Sequence, residues 1–295
     1  MNKITKTICI SVITNTILSI VKIIFGYIFK CSSLVADGIH SFSDLVTDFV
    51  ALLGNKLSNK PADDDHPFGH GKIEYITSII ISLFILILGF SLLINSYNSE
   101  IVIPNMIVII ITIFTIISKY LLSIYVYKVG IENKNNILIA SGSESKADVL
   151  SSVIVLISIV LMQFSKSLEI LKYSDIIATI IISIFIIKTG YIILKNNFNM
   201  ILETQLDDLE YIKMIKEIIL SEKEVINIRD LYILINGPYY KLISEISMDS
   251  NTRLKDVHNT LDVIENKIKA KDERIKYVTI HVNPYENIDK QKVEC

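Results

Sequence analysis

Within an apolar stretch, "VADGIHSFSDLVTDF" (Val35–Phe49), four ionisable side chains follow one another at spacings of three and four: Asp37, His40, Asp44 and Asp48. On a helix, positions at these spacings stack on one face, so the four form a ladder down one edge. A second apolar stretch repeats the pattern with Glu144 and Asp148, again four apart, and Ser141 and Ser151 extend its polar stripe. A single carboxylate of this kind also serves as an interhelical hydrogen-bond partner. Matched pairs on two helices point further, because together they can bring four groups to one point. Four is the ligand count of a tetrahedral divalent-metal site.

The segment "PADDDHPFGHGK" (Pro61–Lys72) carries a second set, Asp63, His66 and His70, with two and three residues between them. Imidazole and carboxylate suit Zn, Mn or Fe. A solvated acidic loop would account for the aspartates but not for the two histidines. The cysteines (Cys9, Cys31 and Cys295) are scattered without a CxxC pair and imply neither a disulfide framework nor a thiolate site.

The elements that must position these residues follow from the apolar pattern. The 295 residues are 51% hydrophobic, and the long Ile/Leu/Val/Phe runs lie almost entirely in 1–200, whereas 201–295 are rich in Lys, Asp and Glu. Such a break predicts a membrane domain (1–200) followed by a soluble one (201–295). The net charge of −2 gives no sign of a nucleic-acid partner. Six segments approach the roughly 20 apolar residues a membrane helix needs: about 7–29, 33–57, 75–97, 104–128, 138–163 and 173–195. The second and fifth are the poorest in hydropathy, because they carry the ionisable groups. Charges at that depth are costly and face a bundle interior or a water-filled cavity. The first segment continues past twenty residues without a small-residue cleavage pattern, which predicts an uncleaved span.

Lys3, Lys6, Lys56, Lys60, Lys72, Lys128, Lys134 and Lys195 fall on one side of this topology, against Lys30, Lys166 and Lys172 on the other. That asymmetry predicts cytoplasmic termini and a cytoplasmic tail. In the tail, 206–222 and 252–270 have helical spacing. Residues 227–235 and 240–249 read as strands around the Asn236-Gly237-Pro238 turn, and 275–283 alternate with Val278, Ile280 and Val282 inward. The order is α-β-β-α-β.

Taken together, "ADGIHSFSDLVTD", "KPADDDHPFGHGKIE", "SESKADVLSS" and the α-β-β-α-β tail resemble the cation diffusion facilitator family of divalent-metal/proton antiporters over essentially the whole chain. The resemblance implies a homodimer of six-helix protomers in the bacterial plasma membrane, each with a ferredoxin-like, metallochaperone-type cytoplasmic domain. It implies a transport site of His40, Asp44, Glu144 and Asp148, although the family most often has His at the position of Glu144. Asp63, His66 and His70 match the family's interfacial metal site, and Lys72 with Glu203 matches a charge pair that locks the two protomers. Glu245, His258 and His281 stand as a possible tail site, with Arg229 and Asn283 where further ligands would be expected. All five histidines thus fall on motif positions.

The implied activity is efflux of a divalent cation (Zn, Mn or Fe) in exchange for protons, with no prosthetic group and no covalent step. One imidazole and three carboxylates lean toward harder ions such as Mn²⁺ or Fe²⁺. Two alternatives stay open: a non-transporting membrane metal sensor or scaffold, and an intramembrane metalloenzyme, which would lack HExxH and an evident general base. Asn15, Ser19 and Lys22 form a further polar stripe on the first span, and Lys119 and Lys188 lie within the fourth and sixth. These are unassigned by pattern alone.

Overall fold

The structure is a computed structural model that describes residues 3–98, 101–133 and 135–285. Lys134 and Cys295 lie outside the described residues, as do the side chains of Lys3, Asp48 and Lys56. The chain divides into two compact units, one of residues 1–50 and 79–194, the other of 51–78 and 195–295.

Six long helices account for the apolar part: α1 (Lys3–Ile28), α2 (Ser32–Ser58), α3 (Ile73–Tyr97), α4 (Met106–Glu132), α5 (Asn136–Gln163) and α6 (Ser174–Ile201). Each has 25 to 28 residues, enough at about 1.5 Å per residue to cross a hydrocarbon layer about 30 Å thick. Among the described residues, five are long and apolar enough to cross a membrane. The sixth, α2, is long enough but carries the Asp37–His40–Asp44 ladder. Large apolar side chains such as Ile13, Phe84, Phe114, Leu150 and Ile184 stand exposed on these helices, a surface suited to lipid and not to water.

Inside the first unit, Leu34, Ile85, Val108, Val155, Ile159, Ile182 and Ile186 make an apolar core. Several buried hydroxyls are satisfied by their own helices. Thr112 donates to the Val108 carbonyl at 2.8 Å, and Ser183 to that of Thr179 at 2.7 Å. Small residues permit close helix approach. At Gly38 of α2, a Cβ would lie 2.7 Å from the Ile23 side chain of α1, so glycine lets these helices meet beside Lys22 and Asp37.

The second unit contains α7 (Leu209–Leu220), β1 (Val225–Asn236), β2 (Tyr239–Asp249), α8 (Leu254–Lys271) and β3 (Ile275–Tyr285). The sheet order is β1-β2-β3, antiparallel then parallel. Helices α7 and α8 supply Ile215, Ile219, Ile264 and Ile268 to a core with Ile233, Leu242 and Ile246 from the strands. As the alternation requires, Val278, Ile280 and Val282 pack against that core. Asp208 caps α7 by accepting from the Tyr211 amide at 3.0 Å. Asp272 accepts from Tyr211 Oη and from the Arg274 guanidinium, both at 2.7 Å. The Arg274 bonds hold its carboxyl below the usual carboxylate range. The α-β-β-α-β tail is therefore an α+β domain with a three-stranded sheet.

Candidate metal-transport site

The membrane cluster depends on how α2 is seated. Asp175, in the first turn of α6, accepts from the Ser32 amide at 2.9 Å, the Ser33 amide at 3.1 Å and the Ser33 hydroxyl at 2.5 Å. Those amides open α2 and have no partner within it, so a carboxylate there both satisfies them and complements the helix dipole. Sequence reasoning passed over Asp175; its signal was an acidic residue in the first turn of a span.

About two turns of α2 then present Asp37, His40, Ser41 and Asp44 to the bundle. One donor atom from each of His40, Asp44 and Asp148 lies within 4.8 Å of the others. His40 Nδ1 is 3.7 Å from Asp44 Oδ2, and the three side chains are only 12–18% exposed. Donors about 2.0–2.1 Å from a tetrahedral ion stand roughly 3.4 Å apart, so a small closure would bring this set to bonding distance. Glu144 is not brought to the cluster: it is exposed on α5. Four residues advance a helix by about 400°, leaving positions i and i+4 some 40° apart. The rotation that turns Asp148 inward thus need not carry Glu144 with it.

Beside the ligands lie two lysines. Lys22 Nζ of α1 is 2.7 Å from Asp37 Oδ2 and donates to Ser152 at 2.8 Å and Ser41 at 3.4 Å. Asp37 also accepts from Ser151 at 2.6 Å and Ser152 at 2.7 Å. Lys119 Nζ of α4 is 2.6 Å from Asp148 Oδ2 and 3.2 Å from Ser41 Oγ. Both lysines are nearly inaccessible, at 1% and 3%. Asp37, placed in the ladder by its spacing, belongs to this network and not to the ligand cluster. Among residues unassigned by pattern, Ser19 is buried and Lys188 exposed.

The loop set also converges, within the second unit. Donor atoms of Asp63, His66 and His70 lie within 4.8 Å of one another, with His66 Nδ1 3.2 Å and His70 Nε2 3.5 Å from Asp63. The Lys60 ammonium, 3.1 Å away, holds the Asp63 carboxyl down to about 2. Aromatic and backbone contacts anchor the loop: Phe68 meets Tyr277 edge-on at 5.2 Å, and Tyr277 Oη donates to the Pro67 carbonyl at 3.2 Å. The hairpin residue Gly237 has φ +61°, and a Cβ there would lie 2.4 Å from the Gly71 carbonyl oxygen. That conformation and that approach both require glycine.

Lys72 Nζ and Glu203 Oε1 are 3.1 Å apart within this same chain. Glu203 has φ +63° and lies just beyond the end of α6, where a left-handed residue closes a helix. In the tail, Glu245 and His281 are register partners across the parallel strands, and Asn283 donates to Glu245 at 3.4 Å. His258 is apart from them, exposed on α8 and 3.5 Å from Asp262. Arg229 donates to Ser247 at 3.2 Å. Among the described residues, no three-ligand cluster forms in the tail.

Sequence comparison adds to this geometry. The profile of the cation efflux transmembrane domain matches residues 8–202, and that of the cation efflux protein cytoplasmic domain matches 208–285. The chain belongs to the cation diffusion facilitator family. It is 30% identical to the manganese efflux system protein MneP of Bacillus subtilis, over 95% of this chain and 96% of that protein. It is 28% identical to an uncharacterized transporter of Methanocaldococcus jannaschii, over 96% and 99%. The magnetosome protein MamB of Paramagnetospirillum magneticum is 25% identical, over 90% of each chain. The protein is thus an integral membrane protein of a metal-efflux family, with a helical transmembrane domain followed by an α+β cytoplasmic domain.

Proposed function

We propose that the chain exports a divalent transition-metal cation, Mn²⁺ foremost, in exchange for protons at the His40–Asp44–Asp148 cluster. The observation that carries this reading is the convergence of those three donors, within 4.8 Å, inside the helical domain of a cation-efflux protein. Manganese is favoured by two oxygen ligands to one nitrogen and by the manganese-efflux function in the name of the relative MneP. Zn²⁺ and Fe²⁺ remain competitors for the same set. A metal ion needs deprotonated ligands, so its arrival expels protons and returning protons expel it. An imidazole is the natural exchanger, because histidine titrates closest to neutrality. Alternating access would come from helices rocking about this cluster.

The remaining assignments belong to the same proposal. Both termini and the tail face the cytoplasm of a bacterial cell, on the lysine asymmetry. Residues 1–200 form the transport domain and 201–295 the dimerisation domain of a homodimer. Asp63, His66 and His70 form a second, regulatory or structural metal site, supported by their convergence. Lys72 and Glu203 hold the junction of this assembly. Glu245 and His281 offer two tail donors, without a third among the described residues. Mn²⁺ uptake into sealed proteoliposomes, with a Zn²⁺ and Fe²⁺ panel and a pH-sensitive dye inside, tests the reading. Wild-type flux coupled to opposite proton movement is expected. Metal binding without flux would instead favour a sensor, and hydrolysis of a substrate without flux a metalloenzyme.

A further inference from the structure

The cluster on which the proposed function rests has an occupant that metal ligation does not call for. Lys119 Nζ lies 2.6 Å from Asp148 Oδ2, and its side chain is 3% exposed. A lysine can be buried simply to neutralise a carboxylate, and Lys22 does this for Asp37. There the carboxylate also takes two serine hydroxyls and stands outside the ligand cluster. Lys119 differs, because its partner is itself one of the three donors.

Charge and valence turn this difference into competition. An ammonium has three donors and no acceptor, so it can hold Asp148 but cannot join it in ligating a metal. Lys119 Nζ already occupies Asp148 Oδ2 at 2.6 Å, so a dication ligated by the same carboxylate would stand close to an ammonium in a low-dielectric interior, where like charges repel strongly. Asp37 offers Lys119 no easy refuge, being already engaged by Lys22, Ser151 and Ser152. Ser41 Oγ, 3.2 Å from Lys119 Nζ, is its other named partner.

We propose that Lys119 is a tethered cation that holds Asp148 between transport events and is displaced from it when the divalent cation binds. Resting on the proposed transport site, this makes Lys119 a residue that sets affinity: it weakens metal binding enough for the ion to be released on the far side. It touches a ligand and not the ion, and so acts through Asp148.

The experiment measures the Mn²⁺ dissociation constant of the full-length chain by chelator competition, alongside the maximal uptake rate in proteoliposomes. A His66→Ala, His70→Ala background removes the loop cluster from the titration. Lys119→Met should bind Mn²⁺ at least about tenfold more tightly, the scale of one opposite charge at contact, and should turn over more slowly. Lys119→Arg should bind at least about threefold more weakly, because a guanidinium can grip a carboxylate through two bonds. Lys22→Met should tighten binding less than Lys119→Met does, because Lys22 contacts Asp37 and not a ligand. Unchanged or weaker binding in folded Lys119→Met overturns the proposal. Should that variant not fold, unchanged or tighter binding in Lys119→Arg overturns it. Asp148→Asn separates the two readings. If it retains wild-type affinity, the transport-site assignment falls and the role of Lys119 with it. If it loses affinity while the lysine variants do not respond, only the tethered-cation proposal fails.

Discussion

The membrane cluster and the loop cluster gather the same ligand types in opposite surroundings. His40, Asp44 and Asp148 are mostly enclosed, whereas Asp63 and His66 are 38% and 59% exposed and His70 alone of the loop set is covered, at 7%. Each has a lysine on a ligand carboxylate: Lys119 on Asp148, and Lys60 on Asp63. Lys60 is 61% exposed, where water and salt share in compensating the carboxylate. Around the more enclosed membrane cluster water can do less of this, and the protein supplies its own compensating charges and serine hydroxyls. The contrast teaches that a buried metal site must be balanced in the absence of its ion as well as in its presence. An exposed one need only be shaped.

The comparison breaks most directly at Asp148. Asp148→Ala should reduce Mn²⁺ uptake by roughly two orders of magnitude or more. Outer-shell partners of metal ligands already cost about 10–100-fold, and this change deletes a ligand. Asp44→Ala should act similarly. Metal-driven proton movement in proteoliposomes measures both, and near-normal flux in either would move the site elsewhere. Next in size is a stability effect. Asp37→Ala leaves the Lys22 ammonium buried without its carboxylate, a change that costs about 3 kcal/mol or more. Thermal unfolding of the purified protein should fall accordingly. The double variant Lys22→Met, Asp37→Leu should recover much of the loss, since replacing a buried pair by apolar groups is often neutral. No recovery would mean that Asp37 has a role beyond holding Lys22.

The loop cluster predicts smaller and differently shaped effects. His66→Ala with His70→Ala should lower the amount of bound Mn²⁺ while leaving measurable uptake. Complete loss of uptake in a folded protein would contradict that division of labour. Asp63 adds a pH criterion. The Lys60 ammonium holds its carboxyl down to about 2, below the ordinary carboxylate value, so it carries its charge at neutral pH and loses it only as pH falls through that range. Asp63→Asn should therefore weaken loop binding by a similar factor across about pH 5 to 8, leaving the slope of log affinity against pH unchanged. A shallower slope would show that Asp63 itself takes up a releasing proton.

Much of this architecture was legible because it rests on local periodicity. Six spans and an α-β-β-α-β tail follow from apolar length, 3.6- and 2-residue spacing, and the Asn236-Gly237 turn, and the observed helices and strands differ mainly by a few residues at their ends. What escaped was relational. Lys22 and Lys119 look like isolated charges in separate spans, and only packing brings them to Asp37 and Asp148 across 15 and 29 residues of chain. Asp175 likewise acts on amides more than 140 residues away. Spacing also says that Glu144 and Asp148 share a face but not which way that face turns.

Glu144 is where the smallest effect is expected, and where the comparison is sharpest. If the exposed position of Glu144 on α5 persists through transport, it is neither buried like the membrane ligands nor clustered like the loop ones. Glu144→Ala should then hold Mn²⁺ uptake within about twofold, the scale of a surface substitution. Glu144→His should leave the ratio of initial Zn²⁺ to Mn²⁺ uptake unchanged between about pH 6 and 8, because an imidazole there would neither bind the ion nor titrate beside it. A ratio that moves toward Zn²⁺ would require the opposite conclusion. It would mean that α5 rotates by about the 40° separating i from i+4 during the cycle, making Glu144 a fourth ligand in a state other than this one. The same rotation would carry Asp148 away from Lys119, so the two variants together would report a single movement.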